Sequence, residues 1–266
     1  MYDLHLHSTY STDSYPWATM KNMCNAAILK GLKGICFTDH IDVDYPDCTE
    51  VLDFEKYSRE LDELICEFDK RLEVYKGMEL GLQPHLFEEN MAFSSNPGMD
   101  FILGSIHVVG KKELYRGDFL QGKTDAAGIL AYFDDLKKCI SSFNDFDSLG
   151  HIDVIRRYLS NGETAFQYNL YKDFIAEILR DLIKNGKGLE INTSGKRYGL
   201  SSFHPLTEIL SLYKDLGGEI ITIGSDAHRP EDIGYGFDEV WDLLKSLNYK
   251  YYCIFKKRKA AFISIE

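Results

Sequence analysis

Three features that would place this chain in a membrane, outside the cell or in a disulfide scaffold are missing from its sequence. It has no uncharged stretch of about 18 or more residues, so no segment is apolar enough for a transmembrane helix. The residues after Met1 form a polar, histidine-bearing strand rather than a basic segment followed by an apolar run, which predicts no export signal. The six cysteines form no C-x-x-C pair, so we expect free thiols in a reducing cytoplasm.

Basic residues are also scarce. Lysine and arginine total 30 against 42 aspartate and glutamate residues, which gives a formal net charge of -12. A chain this acidic is poorly suited to coating a polyanion by counterion release. We therefore expect a small-molecule substrate, and neither nucleic acid nor a membrane as a partner.

No internal repeat or low-complexity linker interrupts the chain, and its 266 residues, 44% of them hydrophobic, predict a single domain over residues 1–266. Apolar runs of strand length alternate with segments of helical period, which indicates βα units wound into a parallel sheet or barrel. The predicted strands span residues 2–8, 34–38, 72–79, 101–109, 148–155, 188–193 and 219–225, with one or two more in 249–266. The predicted helices span about 18–30, 53–70, 125–143, 170–183, 205–213 and 239–247.

Six of the eight histidines lie in short polar segments at the ends of these apolar runs, and they are His5, His7, His40, His107, His151 and His228. The carboxylates that accompany them are Asp13, Asp39, Glu79 and Asp226. The carboxyl ends of the strands of a parallel barrel meet on one rim, so these side chains are expected to converge. Because histidine is the commonest metal ligand, the pattern predicts a site for more than one metal ion.

Each of these residues has a simpler interpretation when it is taken alone. The simpler interpretations are a strand-end cap for Asp39 and His40, a solvated carboxylate for Glu79, a core histidine for His107 or His151, and a helix cap for Asp226 with His228. All of them together, each at the end of a different strand, would be a large coincidence. His5 and His7 also project to the same face of their strand and can bind one cation together.

The ordered motifs H-x-H, T-D-H, G-x-E, G-S-x-H, G-H-x-D and S-D-A-H resemble the PHP (polymerase and histidinol phosphatase) family from His5 to Phe237. Within it, the length and the segments GSIHVV, HIDVIRRY and INTSGKRYG most resemble the monofunctional histidinol-phosphate phosphatases. The resemblance implies an α/β fold, a distorted seven-stranded (β/α) barrel with a trinuclear metal site at the carboxyl rim. It assigns one metal to His5, His7, Glu79 and Asp226, a second to Glu79, His107 and His151, and a third to His40, His228 and Asp13. Some relatives have histidine where this chain has Asp13. The third metal would therefore have a carboxylate in place of an imidazole as one of its ligands.

The ligand set and the nearby arginines fit the chemistry of phosphate esters. A mixed shell of imidazoles and carboxylates suits three divalent ions of Zn, Fe or Mn, and Glu79 can bridge two of them with a hydroxide between them for attack. Arg156 and Arg197 present paired donors that match a phosphoryl group, and Arg157 is an alternative to Arg156 because the register is open. Ser194 could donate a further hydrogen bond to the phosphate.

Two residues keep open roles. His85 could contact the substrate or protonate the leaving group, or have no function. Asp153 could recognise a substrate amine, transfer a proton or orient a histidine ligand.

The residues favour hydrolysis of a phosphate ester, and the resemblance implies the substrate. It implies a phosphomonoesterase that converts L-histidinol phosphate to L-histidinol and phosphate in histidine biosynthesis. The nearest alternative is a phosphodiesterase, nuclease or nucleotide phosphatase of the same fold. A metal-binding scaffold without activity would lack ligands that this chain retains.

Overall fold

The structure is a computed structural model that describes residues 1–46 and 52–265; Cys48 lies outside the described residues. Its strands are β1 (Tyr2–Leu6), β2 (Gly34–Phe37), β3 (His40–Ile41), β4 (Glu73–Gly81), β5 (Phe101–Ser105), β6 (Val108–Val109), β7 (Lys112–Glu113), β8 (Ser148–Leu149), β9 (Gly188–Asn192), β10 (Ile221–Gly224), β11 (Tyr251–Lys256) and β12 (Lys259–Ser264). Its α-helices are α1 (Met20–Leu29), α2 (Phe54–Phe68), α3 (Phe87–Ser94), α4 (Asp125–Ser142), α5 (Tyr168–Lys184), α6 (Ser194–Arg197), α7 (Thr207–Asp215) and α8 (Phe237–Ser246).

Seven parallel strands form the barrel wall, in the order β1, β2, β4, β5, β8, β9 and β10. The wall closes where the chain after β10 meets β1: the amide of Asp226 donates to the carbonyl of His5 (2.7 Å), and that of His7 donates to the carbonyl of Ala227 (2.8 Å). The short β3 pairs with β4, which sets His40 beside Glu79. The predicted seven-stranded α/β barrel is confirmed.

The largest departures from the predicted elements follow β5 and β8. The strand β5 ends at Ser105, and the predicted continuation to Val109 instead forms the β6–β7 hairpin. The strand β8 covers two residues of the predicted 148–155 because the amide of Val154 donates back to the carbonyl of His151 (2.8 Å). This turn starts a 3-10 helix over Val154–Arg157. Helix α3 is an addition to the predicted elements.

The helices α1, α2, α4, α5, α7 and α8 each bury one mainly apolar face. On α5 the spacing of three and four residues buries one stripe, which comprises Tyr171, Ile175, Ile178, Leu179 and Leu182. Side-chain oxygens of Thr19, Asp53 and Thr124 cap α1, α2 and α4 by accepting a backbone amide three residues further on. No helix within the described ranges is long and apolar enough to cross a membrane.

The β11–β12 hairpin covers the amino end of the barrel. The Phe255 ring packs against Phe101 at the start of β5, with 5.3 Å between ring centroids. In the turn, the Arg258 side chain donates to Asp147 (2.6 Å) and Asp145 (3.1 Å), just before β8. Because these contacts cover the amino end, the carboxyl end is left for the functional site.

Candidate metal centre and substrate pocket

A cavity of about 1190 Å³ opens at the carboxyl end of the barrel. Residues from the chain after β1, from β3 and β4 and from the loops after β5, β8 and β10 line its floor. The predicted metal ligands among them are Asp13, His40, Glu79, His107, His151, Asp226 and His228. Beneath them, His5 and His7 are fully buried.

The carboxylate of Glu79 lies in the middle of this floor, and its two oxygens face different imidazoles. Oε1 lies 3.0 Å from Nε2 of His151 and 3.3 Å from Nε2 of His107. Oε2 lies 2.9 Å from Nδ1 of His40, and Nε2 of His5 and of His7 lie 3.3 and 3.5 Å from it. Each oxygen therefore faces a separate group of nitrogen ligands.

Two further carboxylates approach the same imidazoles from the cavity side. Oδ1 of Asp226 lies 3.5 Å from both Nε2 of His7 and Nδ1 of His228. Oδ2 of Asp13 lies 3.1 Å from Nε2 of His228 and 3.5 Å from Nε2 of His40. The structure therefore brings together all nine residues that the sequence predicts as ligands, although their ligand roles stay a prediction.

The spacing of these ligand atoms is compact enough for metal ions. Three sets of ligand atoms, each lying within 4.8 Å of one another, match the cluster, and they are His5 with His7 and Glu79, Glu79 with His107 and His151, and His7 with His40 and His228. The buried atoms Oε2 of Glu79 and Nε2 of His228 accept or donate no hydrogen bond among the described residues. Buried polar atoms that lack a hydrogen bond and face imidazoles and carboxylates fit a cation.

Outer hydrogen bonds orient several of these histidines. Nδ1 of His5 lies 2.7 Å from Oε1 of Glu190, and Nδ1 of His107 lies 2.9 Å from Oδ1 of Asp42. An ionised carboxylate can only accept, so in the neutral ring Nδ1 carries the proton and Nε2 keeps its lone pair for the proposed centre. Sequence reasoning missed both carboxylates; the available signals were the acid inside the apolar strand GLEIN and the second acid in T-D-H-I-D.

Asp39 does not join the centre. Its Oδ1 accepts from the Ser11 hydroxyl (2.8 Å), which in turn lies 3.1 Å from Nδ1 of His7. The amide and hydroxyl of Ser8 also donate to this carboxylate. Among the described residues, Ser11 links Asp39 to His7.

The charges in the cluster shift its protonation. Burial lowers the pKa of His107, but Asp42 and Glu79 outweigh burial and raise it to about 10. Burial opposes protonation of His5 and His40 too, yet nearby carboxylates raise the pKa of both well above the ordinary value. Burial raises the pKa of Glu79, but the imidazoles around it hold that pKa well below its usual range. Protons therefore compete with cations for these nitrogens.

The structure distinguishes the predicted arginines. Arg157 lines the cavity, with Nη2 3.6 Å from Oδ2 of Asp226 and the guanidinium carbon 4.2 Å from the centroid of the Tyr198 ring. Arg197 also lines the cavity, and it donates to the carbonyls of Ser225 (2.6 Å) and Asp226 (2.7 Å). Both guanidinium groups therefore stand beside the ligand-bearing segment after β10.

Arg156 is placed differently from the prediction. Its side chain is 1% exposed, and it donates to Asp153 (3.0 Å), Glu163 (3.0 Å) and the Ser202 hydroxyl (2.8 Å). It does not line the cavity, because consecutive residues of the 3-10 helix point in different directions. Of the two alternatives, the structure brings Arg157 to the cavity.

Three other predicted residues also lie away from the cavity surface. Asp153 is buried and binds Arg156 and His204. Ser194 is buried under the floor, where its hydroxyl donates to Oδ2 of Asp226 (3.0 Å). His85 pairs with Asp44 at 2.8 Å on the surface. None of the three is among the residues that line the cavity.

The wall above the metal floor contains a buried acid that sequence reasoning missed. Glu113, in β7, lines the cavity and is 3% exposed. Its Oε2 lies 3.3 Å from Nε of Arg116 and accepts no hydrogen bond among the described residues, while the hydroxyl of Tyr45 hydrogen-bonds to the same carboxylate. The tyrosines Tyr45 and Tyr115 line the same wall. This part of the cavity is suited to a group that carries N–H donors.

The family comparison and the similar proteins agree: the chain matches the PHP domain and is similar to proteins named histidinol-phosphatase. Residues 3–194, more than half of the chain, match the PHP domain. The chain is 32% identical over 253 residues to a probable histidinol-phosphatase of Clostridium acetobutylicum, which covers 94% of this chain and 95% of that protein. It is 31% identical over 232 residues to the histidinol-phosphatase of Lactococcus lactis, with 85% and 83% covered.

Two solved structures have the same fold. The histidinol phosphate phosphatase of Lactococcus lactis, complexed with zinc, L-histidinol and phosphate, matches with a TM-score of 0.88 at 28% identity and covers 98% of both chains. A putative histidinol phosphatase of Listeria monocytogenes matches with a TM-score of 0.75 at 17% identity, covering 90% of this chain and 99% of that one.

Metal binding should release protons, because imidazoles must be deprotonated to coordinate a cation. Since the pKa values of His5, His40 and His107 are raised, these rings hold protons at pH 7 in metal-free protein. We expect the apparent affinity for Mn²⁺ to fall as pH falls from 8 to 6, by roughly tenfold per pH unit for each proton released. Calorimetric titration in two buffers of different ionisation enthalpy measures the release; equal heats in both buffers would contradict the prediction.

Proposed function

The chain belongs to the PHP family, and from this premise we propose that it is a metal-dependent phosphomonoesterase that hydrolyses L-histidinol phosphate to L-histidinol and phosphate in histidine biosynthesis. The main support for this proposal is that imidazoles and carboxylates converge around Glu79 at the floor of the cavity. Arg157, Arg197 and the buried Glu113 line the cavity above them. The Lactococcus lactis structure, which covers 98% of this chain, contains zinc, L-histidinol and phosphate and supports the same assignment.

Three divalent ions of Zn, Fe or Mn are proposed for the centre. His5, His7, Glu79 and Asp226 would hold one ion, Glu79 with His107 and His151 a second, and Asp13 with His40 and His228 the third. The two-sided environment of the Glu79 carboxylate supports its role as the bridge, because each oxygen has its own imidazoles. When bound, such ions supply charge against the phosphoryl oxygens and lower the pKa of water for attack on phosphorus.

The phosphate would lie between this floor and the two cavity arginines. Arg157 presents its guanidinium edge beside Asp226, while the Tyr198 ring supports its face. Arg197 donates to Asp232 (2.8 Å) and to the backbone after β10. These hydrogen bonds hold its side chain in place, so its charge is fixed at the same rim of the cavity. Fixed guanidinium groups stabilise the charge on the transferred phosphoryl group without reorganising during the reaction.

Glu113 is proposed to bind the amine-bearing part of the substrate. Histidinol carries an ammonium group and an imidazole, and both supply N–H donors. Oε2 of Glu113 is a buried atom in the same cavity as the proposed metal ligands; it lies 3.3 Å from Nε of Arg116 but accepts no hydrogen bond among the described residues. A donor from the substrate would satisfy an atom whose burial is otherwise costly.

Asp153 is not suited to protonate the leaving alcohol. Its carboxylate is enclosed by His204, Arg156 and the amide of Leu206, away from the cavity surface. We therefore assign the proton to solvent water in the open cavity, and Asp153 to support of the wall. The free thiols of the described cysteines agree with the cytoplasmic location that we propose for the enzyme.

Hydrolysis of a substrate panel by the metal-loaded protein tests the proposed activity. We expect kcat/KM for L-histidinol phosphate to exceed that for p-nitrophenyl phosphate by at least about 10-fold, because only the former offers donors to Glu113. Bis-p-nitrophenyl phosphate and a short single-stranded oligonucleotide should be poor substrates. Faster turnover of either diester would instead support the phosphodiesterase alternative.

Glu113→Gln should separate recognition of the amine from the chemistry on phosphorus. Loss of the negative charge should raise KM for L-histidinol phosphate roughly 10-fold, whereas kcat/KM for p-nitrophenyl phosphate stays within about twofold. Steady-state kinetics with both substrates measure the difference. An equal loss for the two substrates would assign Glu113 to a structural role rather than to recognition.

Glu79→Gln should remove the bridge between two ions. The amide offers one oxygen and no charge, so we expect metal content to fall by about two ions per chain and hydrolysis to drop by at least about 100-fold. Elemental analysis of purified protein measures the metals. The matched control is Glu177→Gln on the exposed face of α5, where the carboxylate pairs only with Lys137 among described partners. Full occupancy in Glu79→Gln would refute the bridge.

A further inference from the structure

His204 is a buried histidine that the proposed metal chemistry does not use. It lies between two charged side chains, with Nε2 3.1 Å from Nε of Arg157 and Nδ1 2.6 Å from Oδ1 of Asp153. Its backbone amide and carbonyl pair with Asn192 at the end of β9, at 2.9 and 2.7 Å. The imidazole is therefore held rigidly behind the arginine that lines the cavity.

The partners of His204 determine its tautomer. Arginine Nε carries a hydrogen and can only donate, so Nε2 of His204 must be the acceptor. The ring proton then belongs to Nδ1, which donates to the Asp153 carboxylate. Burial lowers the pKa of His204 to about 4, which keeps the ring neutral at pH 7 and agrees with this assignment.

Asp153 is itself fixed from the other side. Its second oxygen, Oδ2, accepts from Nη1 of Arg156 (3.0 Å) and from the amide of Leu206 (2.9 Å). Asp153 therefore cannot rotate to follow His204 without breaking two other hydrogen bonds. The acceptor that His204 offers to Arg157 is fixed in position.

Arg157 is held on more than one side by these contacts. His204 occupies Nε, Tyr198 lies against the guanidinium face, and the Ser194 hydroxyl accepts from Nη2. A long side chain with many rotamers is thus restricted to one orientation, with its terminal nitrogens toward Asp226 and the cavity. Such restraint matters for a group that must meet a phosphoryl oxygen within a fraction of an ångström.

We propose that His204 is a positioning residue, which accepts a hydrogen bond from Nε of Arg157 and thereby aims this arginine at the phosphate of the substrate. The proposal rests on the proposed function, because it requires that Arg157 contact the phosphate. His204 does not line the cavity, and its described side-chain hydrogen bonds go to Arg157 and Asp153 rather than to a proposed metal ligand.

Two substitutions separate the two ring nitrogens. In His204→Asn the amide nitrogen can still donate to Asp153, but no acceptor reaches Arg157. In His204→Gln the longer side chain brings an amide oxygen to the position of Nε2. We expect kcat/KM for L-histidinol phosphate to fall about 10-fold in His204→Asn and by no more than about threefold in His204→Gln, with metal content unchanged in both.

A double-mutant cycle with Arg157→Ala measures whether the effect of His204→Asn on kcat/KM depends on Arg157. A general structural role of His204 would give no such dependence. Arg157→Ala should lower kcat/KM by about 100-fold and weaken product inhibition by inorganic phosphate. Adding His204→Asn to Arg157→Ala should cost no more than about twofold, because the group through which His204 acts is gone. The same cycle with Asp153→Asn, in which the His204 ring is retained, provides a second test should His204→Asn fail to fold.

The outcomes distinguish the two levels of the proposal. Equal losses from His204→Asn with and without Arg157 would overturn the positioning role, as would a loss in His204→Gln as large as that in His204→Asn. An Arg157→Ala enzyme with unchanged activity and unchanged phosphate inhibition would instead refute the phosphate contact in the proposed function.

Discussion

A carboxylate buried inside the barrel is the constraint on which the site depends. Glu79 stands in the nine-residue strand β4, and its side chain is 1% exposed. A buried carboxylate without partners costs several kcal/mol, so the surrounding side chains must compensate its charge. Imidazoles on both of its oxygens do so, and cations bound by those imidazoles would do so further. The same carboxylate contacts both His7 and His40, whose rings stack with 4.2 Å between their centroids.

The barrel holds these imidazoles by close approach as well as by hydrogen bonds. Gly224 in β10 lies directly against His5 and Glu190, and a side-chain carbon at this position would collide with both. The absence of a side chain lets Glu190 reach Nδ1 of His5 and the amide of His151 at 2.9 Å. One carboxylate thus sets the orientation of a proposed ligand from β1 and the backbone of a proposed ligand after β8. The geometry of the proposed centre therefore depends also on residues outside the proposed ligand set.

The sequence predicts which residues form the floor of the cavity better than which form its wall, and the reason is geometric. His107, His151 and Asp226 follow the parallel strands β5, β8 and β10, and the barrel topology alone brings strand ends to one rim. Glu190 lies inside β9, and the alternation of side chains along a strand does not tell which acidic residue faces a histidine. Glu113 lies in the short β6–β7 hairpin, which no periodicity in the sequence predicts. The direction of an arginine after a two-residue strand depends on the turn that follows, which here is held by three backbone hydrogen bonds, from Val154 to His151, from Arg156 to Asp153 and from Tyr158 to Ile155.

The adjacent residues Arg156 and Arg157 show how such a turn can direct one side chain into the protein interior and the next into the cavity. A 3-10 helix has three residues per turn, so consecutive side chains point roughly 120° apart. Arg156 enters the protein and contacts Asp153, whose pKa stays lowered despite burial because of His204 and the Arg156 charge. Arg157 enters the cavity and contacts the other side of His204. The two arginines are therefore the ends of one hydrogen-bonded chain. Arg156, which does not line the cavity, helps to keep Asp153 ionised. The ionised Asp153 in turn fixes the imidazole of His204, which contacts Arg157 in the cavity.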